Sequence, residues 1–276
     1  MRVAIAQLEI TGGDVAGNRD RARAAIEAAA DAGADLVALP EMFTVGYFAF
    51  ERYRDAAEPL EGPTVAALRD AAGAHDLWVL GGSFVEDLSA TDGHPTPADS
   101  GLANTAPLLA PDGELALVYR KHHLFGYGSA EQELLVPGRH LDVVDVGEWT
   151  VGVTTCYDLR FPELYRELVD LGATLVLVPS AWPYPRVEHW SVLSRARAIE
   201  NQWYLATVNG TGTFPADGGA ESEPSTLLGR STVYDPWGVP VASSGDDPDL
   251  LTVELDPGRV RAVREEFPAL ADRRDD

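Results

Sequence analysis

Short apolar runs alternate with amphipathic segments along the first third of the chain. The runs at 2–8 and 36–39 are almost wholly apolar, which is typical of buried strands. The segments at 18–32 and 62–75 carry their apolar residues at helical spacing. Another apolar run, at 77–85, predicts a further strand. The chain therefore begins with the strand–helix alternation of an α/β fold.

The remainder of the chain combines antiparallel hairpins with further strand–helix pairs. Residues 106–109 and 114–120 flank a Pro-Asp-Gly turn signal, which predicts a hairpin. The other predicted strands are 141–146, 149–155, 174–178, 203–208, 232–234, 239–242 and 250–255, and the other helices are 162–171, 187–201 and 257–266. We predict one α/β domain over 1–276, with a core at about 2–255 and a C-terminal extension at 256–276. Two architectures fit this domain: a single mixed sheet, or two stacked sheets with helices on the outside.

Charge narrows the possible partners of this chain. It has 44 acidic and 21 basic residues, a net charge of −23 and a pI near 4.5. Nucleic acid and anionic membrane surfaces would repel such a protein, so neither is expected as a partner. Acid excess with almost no lysine resembles proteins of salt-loving organisms. The N-terminal segment does not match a signal peptide, and no apolar run could span a bilayer, so we expect a cytoplasmic protein.

Two residues occur once each in this sequence, Lys121 and Cys156. Lysine provides a compact point charge with three donors, whereas arginine is a planar fork, so a single retained lysine indicates a site that requires an ammonium. A single cysteine excludes an intramolecular disulfide and a multi-cysteine zinc site. It leaves open a cysteine nucleophile.

A cysteine nucleophile requires a base. His122, His123 and His189 are available, so a papain-like Cys/His thiol protease must be considered. A carboxylate base is the other option, because Glu41 follows an apolar strand and burial would raise its pKa toward neutrality. Glu41, Lys121 and Cys156 all follow predicted strands, where α/β folds commonly build their sites.

Three motifs, in order along the chain, resemble the nitrilase, or carbon–nitrogen hydrolase, superfamily. They are Leu39-Pro-Glu-Met-Phe43, Tyr119-Arg-Lys-His-His-Leu-Phe125 and Thr155-Cys-Tyr-Asp-Leu-Arg-Phe-Pro-Glu163. Further similarity lies in Ser180-Ala-Trp-Pro183 and in Ala196-Arg-Ala-Ile-Glu-Asn-Gln202. The resemblance implies a four-layer αββα sandwich with mixed sheets and outer helices. It also implies a homodimer or a higher homo-oligomer.

The same resemblance implies site residues. Cys156 is expected to be the nucleophile, Glu41 the general base and Lys121 the catalytic lysine. A second glutamate near a following Pro-Gly is expected to complete the site, and the spacing favours Glu131 over Glu133.

The implied reaction hydrolyses a small amide to carboxylate and ammonia through a Cys156 thioester, without metal or organic cofactor. The backbone N–H of Tyr157 would help to hold the oxyanion, and Trp182 would line the pocket. Arg186 would bind a substrate carboxylate or lie on the surface, whereas Arg160 is expected to brace the turn after the nucleophile.

Several functional alternatives remain at this stage. The motifs resemble most the omega-amidase-like branch, which hydrolyses terminal amides of small carboxylic acids such as 2-oxoglutaramate. An N-carbamoyl amidase, an aliphatic amidase or a nitrilase would use the same residues. A catalytically silent scaffold would be expected to lack one of Glu41, Lys121 and Cys156, and the chain keeps all three.

Overall fold

A computed structural model describes residues 1–127, 129–215 and 223–274. The strands are β1 (Arg2–Gln7), β2 (Leu36–Ala38), β3 (Trp78–Leu80), β4 (Phe84–Asp87), β5 (Leu102–Leu109), β6 (Leu115–Arg120), β7 (Val143–Val146), β8 (Trp149–Val153), β9 (Leu175–Ser180), β10 (Tyr204–Asn209), β11 (Thr211–Phe214), β12 (Ser225–Leu228), β13 (Thr232–Tyr234), β14 (Pro240–Ser243) and β15 (Asp249–Glu254). The helices are α1 (Val15–Asp31), α2 (Tyr53–Ala56), α3 (Pro63–His75), α4 (Glu131–Leu134), α5 (Pro162–Asp170), α6 (Val187–Asn201) and α7 (Pro257–Glu266). Two 3₁₀ turns cover Phe50–Arg52 and Cys156–Arg160.

The strands form two mixed sheets and one short hairpin. The first sheet has the order β15-β1-β2-β3-β5-β4, with β6 paired to β5. The second has the order β14-β13-β10-β9-β8-β7, and β11 pairs with β12 alone. In each sheet the central strands are parallel, as in β1–β2–β3 and β8–β9–β10, and antiparallel strands lie outside them.

Alternating side chains on the central strands divide the interior into three apolar layers. In β1, Val3 and Ile5 belong to a cluster that also contains Leu175 and Leu177 of β9, so this layer lies between the sheets. Ala4 and Ala6 belong instead to the cluster that includes residues of α1 and α3. Residues on the opposite face of β9 pack with α5 and α6. Helices therefore cover both outer faces, which confirms the predicted αββα sandwich.

The run at 77–85 forms two strands rather than one, so that prediction was wrong. The chain turns at Gly82, where φ is 53° and an added Cβ would lie 2.0 Å from the carbonyl oxygen of Pro40. After this turn the hydroxyl of Ser83 accepts the backbone N–H of Met42 at 2.8 Å. The break thus lets the segment at Gly82 and Ser83 pack closely against the loop that carries Glu41. The pattern of apolar residues cannot predict this tertiary contact.

Other elements also differ from the sequence expectation. Helix α1 begins at Val15 rather than at residue 18, because the side chain of Asp14 accepts the N–H of Gly17 at 3.1 Å and caps the helix. The hairpin of β11 and β12 was not predicted. None of the helices in the described ranges combines the length and apolar character needed to cross a membrane.

Candidate active site

Glu41 lies just beyond the end of β2, and its carboxylate is buried between the two sheets. Oε1 accepts Lys121 Nζ at 2.9 Å and the side-chain amide of Asn104 at 2.8 Å. Oε2 accepts the backbone N–H of Ala181 at 2.9 Å. Glu41 and Asn104 belong to the first sheet, whereas Ala181 follows β9 in the second. The carboxylate therefore joins the edges of both sheets at one point.

Lys121 follows β6, and its ammonium lies between two carboxylates. Besides Glu41, Nζ donates to both oxygens of Glu131, at 2.8 and 3.0 Å. Nζ also lies 5.3 Å from the centre of the Tyr47 ring. The backbone N–H of Lys121 donates to the carbonyl of Asn104 at 2.9 Å, which fixes the start of the side chain. These contacts suit an ammonium, whose three N–H donors diverge from a single atom.

Glu131 begins the short helix α4, and its carboxylate is fully buried. In addition to Lys121, its Oε2 accepts the hydroxyl of Tyr47 at 3.0 Å and the backbone N–H of Phe125 at 2.7 Å. Glu133, two residues later, is exposed to solvent. The structure thus places Glu131, and not Glu133, against the lysine.

Cys156 begins the 3₁₀ turn that follows β8. Its φ is 48°, in the left-handed region that residues with a β-carbon seldom adopt, at a cost of about 1–3 kcal/mol. The residue is 8% exposed, and the Glu41 carboxylate and the backbone N–H of Ala181 both act on the pKa of its thiol. The strained turn therefore presents the sulfur to the carboxylate of Glu41.

Burial and charge set the protonation of these groups. Burial raises the pKa of Cys156 well above its usual range, and the charge of Glu41 adds to this effect more than Lys121 opposes it. Burial also raises the pKa of Glu41 above its ordinary 4.5, although Lys121 acts against that shift. Burial lowers the pKa of Lys121, but the carboxylates of Glu131 and Glu41 outweigh it and keep the ammonium charged.

The carboxylates of Glu41 and Glu131 have different surroundings, and this difference gives them different chemical roles. Both accept hydrogen bonds from N–H donors, but the described partners of Glu131 do not include the thiol. Glu41 has a raised pKa and contacts the thiol of Cys156. Glu41 is therefore the carboxylate in position to take the thiol proton, while Glu131 can hold the ammonium of Lys121.

A cavity of about 280 Å³ opens over the sulfur of Cys156. Tyr157, Trp182 and Arg186 all line it, as does Lys121. Arg160 lines it as well, with its guanidinium carbon 4.9 Å from the Trp182 ring centre. Arg160, which was expected to brace the turn, thus lies at the cavity wall.

The three histidines considered as bases have other partners. His122 Nδ1 lies 3.0 Å from the hydroxyl of Tyr119, and His123 Nδ1 lies 2.8 Å from Oδ1 of Asp158. His189 Nδ1 lies 3.2 Å from a guanidinium nitrogen of Arg160. Within the described ranges, no three His, Cys, Asp or Glu side chains converge as metal ligands.

Sequence reasoning did not identify Asn104 and Tyr47. Asn104 donates to Glu41 and, at 3.4 Å, to Glu131, while Tyr47 donates to Glu131. Both residues lie outside the three motifs and in apolar surroundings, so neither had a local signal. A buried asparagine inside the mostly apolar β5 was the one available hint.

Comparisons with known proteins agree with this geometry. The family model described as carbon–nitrogen hydrolase matches residues 2–265. A 2-oxoglutaramate amidase from Paenarthrobacter nicotinovorans is 35% identical over 247 residues, covering 88% of this chain and 79% of that protein.

Solved structures share both the fold and substantial sequence identity. A carbon–nitrogen hydrolase superfamily protein from Xanthomonas campestris, with an arsenic adduct in its active site, has a TM-score of 0.85 and 33% identity, covering 100% of this chain and 98% of that one. A mutant amidase from Nesterenkonia sp. AN1 carries the acetamide moiety of fluoroacetamide on its active-site cysteine. It has a TM-score of 0.79 and 30% identity, with coverage of 99% and 94%.

Proposed function

The chain belongs to the carbon–nitrogen hydrolase family, and we propose that it is an omega-amidase-like enzyme that hydrolyses the terminal amide of a small carboxylic acid. The observation that carries the proposal is the contact of Glu41 with both the Cys156 thiol and the Lys121 ammonium beneath a cavity lined by arginines. The related 2-oxoglutaramate amidase indicates the substrate class.

The first half of the reaction forms a thioester. Glu41 takes the thiol proton while the sulfur of Cys156 attacks the amide carbon. The carbonyl oxygen becomes an oxyanion, held by Nζ of Lys121 and the backbone N–H of Tyr157. That N–H lies in the first turn of the 3₁₀ segment, where helical N–H groups lack an intrahelical acceptor. Glu41 then returns the proton to the nitrogen, the carbon–nitrogen bond breaks, and ammonia leaves.

The second half uses the same groups on water. Glu41 takes a proton from a water molecule while the water oxygen attacks the thioester carbon. Lys121 and Tyr157 again hold the oxyanion. The carbon–sulfur bond then breaks, Cys156 regains a proton from Glu41, and the acid product leaves. The carboxylate of Glu131 keeps Lys121 charged and oriented. We place no metal or organic cofactor in either step.

Two cavity arginines support a substrate that carries a carboxylate. Arg160 and Arg186 both line the cavity, and neither forms an ion pair within the described part of the chain. Their guanidinium groups lie over aromatic rings instead, Arg160 near Tyr157 and Trp182 and Arg186 near Phe125. Glu223 also lines the cavity, but two arginines without an ion pair among the described residues still favour an anionic ligand.

We predict that Arg160→Gln and Arg186→Gln each raise KM for 2-oxoglutaramate by about 10–100-fold, because a charge-assisted hydrogen bond is lost. The matched substrate is butyramide, an amide without a carboxylate, for which KM should change less than about threefold. Ammonia release measures both reactions. Equal losses on the two amides would contradict carboxylate recognition. Release of CO₂ and ammonia from a separately supplied N-carbamoyl amine would instead indicate that substrate class.

We also propose that two copies of the chain pair through the outer face that carries α6. Val192 and Ile199 are 59% and 45% exposed on this helix, two turns apart on one side, and Leu171 lies exposed after α5. Exposed apolar side chains clustered on one face are typical of an interface. Sedimentation equilibrium is expected to give twice the chain mass of 29.6 kDa, and a monomer would exclude the pairing.

The acidic surface supports a protein adapted to a salt-rich cytoplasm. At low salt, a net charge of −23 destabilises the folded chain through self-repulsion, whereas at about 1 M salt the Debye length is only about 3 Å. We predict a melting temperature at least about 5 °C higher in molar KCl than in dilute buffer. Thermal melts across a KCl series measure the effect, and equal midpoints would rule out this adaptation.

A further inference from the structure

The two residues that act on the substrate carbonyl stand on different sheets. Lys121 follows β6 of the first sheet, and Cys156 follows β8 of the second. Their separation must nevertheless be constant to a fraction of an ångström if one is to attack the carbon while the other holds the oxygen. Some contact must therefore join the lysine segment to the nucleophile turn.

Asp158 makes that contact with a single buried carboxylate. Its Oδ2 accepts the backbone N–H of Thr155 at 2.9 Å and the hydroxyl of Tyr119 at 2.6 Å. Its Oδ1 accepts both the backbone N–H and the ring Nδ1 of His123, at 3.0 and 2.8 Å. Thr155 directly precedes Cys156, and Tyr119 and His123 lie two residues on either side of Lys121. One carboxylate thus connects both catalytic segments.

The surroundings of Asp158 restrict it to this arrangement. The side chain is fully buried, so its oxygens have no bulk water as an alternative partner. The His123 ring stacks on Phe161 at 3.6 Å between centres and an angle of 9°, which restrains the ring that contacts the carboxylate. Burial raises the pKa of Tyr119, and the charge of Asp158 raises it further. The Tyr119 hydroxyl therefore keeps its proton and remains a donor.

The backbone of Cys156 explains why such a restraint is needed. Its φ of 48° lies outside the conformations that a residue with a β-carbon prefers. The bond from Asp158 to the N–H of Thr155 spans this residue and closes the turn around it. Without that bond, the turn could relax toward an ordinary φ and carry the sulfur away from Glu41.

We propose that Asp158 is a positioning residue that sets the separation of Cys156 and Lys121 by joining their two segments. It does not touch the substrate, since the side chains that line the cavity do not include it. The inference rests on the proposed amidase function. It adds to that function the residue that holds the nucleophile and the oxyanion donor in register.

Asp158→Asn is the direct test, because it keeps the volume and one acceptor but places an amide against the donors of Thr155 and Tyr119. We expect kcat for 2-oxoglutaramate to fall about 100-fold, as expected for a displacement near 1 Å, with KM changed less than about threefold. The rate of Cys156 alkylation by iodoacetamide should fall about tenfold, because the thiol no longer faces Glu41.

Thr154→Val, two residues before the nucleophile, is the matched control. The hydroxyl of Thr154 is hydrogen-bonded to that of Tyr165 at 2.8 Å, so its loss removes a buried hydrogen bond without touching the lysine segment. This variant should lower the melting temperature and leave kcat unchanged. Wild-type kcat in folded Asp158→Asn, a change confined to KM, or an equal loss of kcat in Thr154→Val would overturn the positioning role.

Tyr119→Phe decides the question if Asp158→Asn does not fold. It removes one donor to Asp158 and keeps the carboxylate, and it should lower kcat about tenfold at constant KM. Wild-type kcat in this variant would equally overturn the role. If wild-type protein released ammonia from no amide, the proposed function would fail, and the alkylation rates would still test the position of the sulfur.

Discussion

Cys156→Ala should reduce ammonia release from 2-oxoglutaramate to the background rate, a fall of roughly 10⁶-fold, because removal of a nucleophile eliminates the covalent route. No other thiol is present in the chain to replace it. The fold should survive, since alanine retains the β-carbon and removes only a sulfur from a cavity wall. Ammonia release and a thermal melt measure the two quantities.

Mass spectrometry of the quenched reaction provides the control for this variant. Wild-type protein should carry the acyl group on the peptide that contains Cys156, and the alanine variant should carry none. Turnover that persists in Cys156→Ala, or an acyl group on another residue, would exclude the thioester mechanism.

Glu41→Gln should lower kcat/KM by about 10³–10⁴-fold with little loss of stability, because it removes the carboxylate that acts on the thiol. The thiol has a raised pKa and stays protonated at neutral pH, so it depends on that base. Glutamine keeps the volume and leaves Lys121 paired with Glu131. Steady-state kinetics on 2-oxoglutaramate measure the change.

The pH profile gives this prediction a second readout. Glu41 acts as a base only when ionised, and its pKa lies above 4.5, so activity should fall as the pH drops through that raised pKa. The acid limb of kcat/KM should therefore have its midpoint above pH 4.5 in the wild type and be absent from the residual activity of Glu41→Gln.

Glu133→Gln is the matched control, because it makes the same chemical change at an exposed glutamate. It should leave kcat/KM and the pH profile unaltered. Full activity in Glu41→Gln would instead favour a histidine base and a thiol protease mechanism.

Much of the fold could be read from local pattern. The strands around Ile5 and Leu177 and helix α6 follow from apolar runs and helical spacing, which depend on near neighbours only. The break at Gly82 could not be read, because its cause is the backbone of Pro40, distant in sequence. The role of Asn104 could not be predicted for the same reason, because its partners, Glu41 and Glu131, are distant in sequence.

By itself, the sequence determined an α/β fold through its periodicity and a short set of reactive residue types. Its ordered motifs resembled a family, and that resemblance implied the αββα sandwich. Only the tertiary structure decided which acid serves which purpose. Glu41 touches the thiol, Glu131 rather than Glu133 holds the lysine, and Arg160 enters the cavity. Protonation and orientation depend on burial and on partners from distant segments, and those exist only once both sheets have packed together.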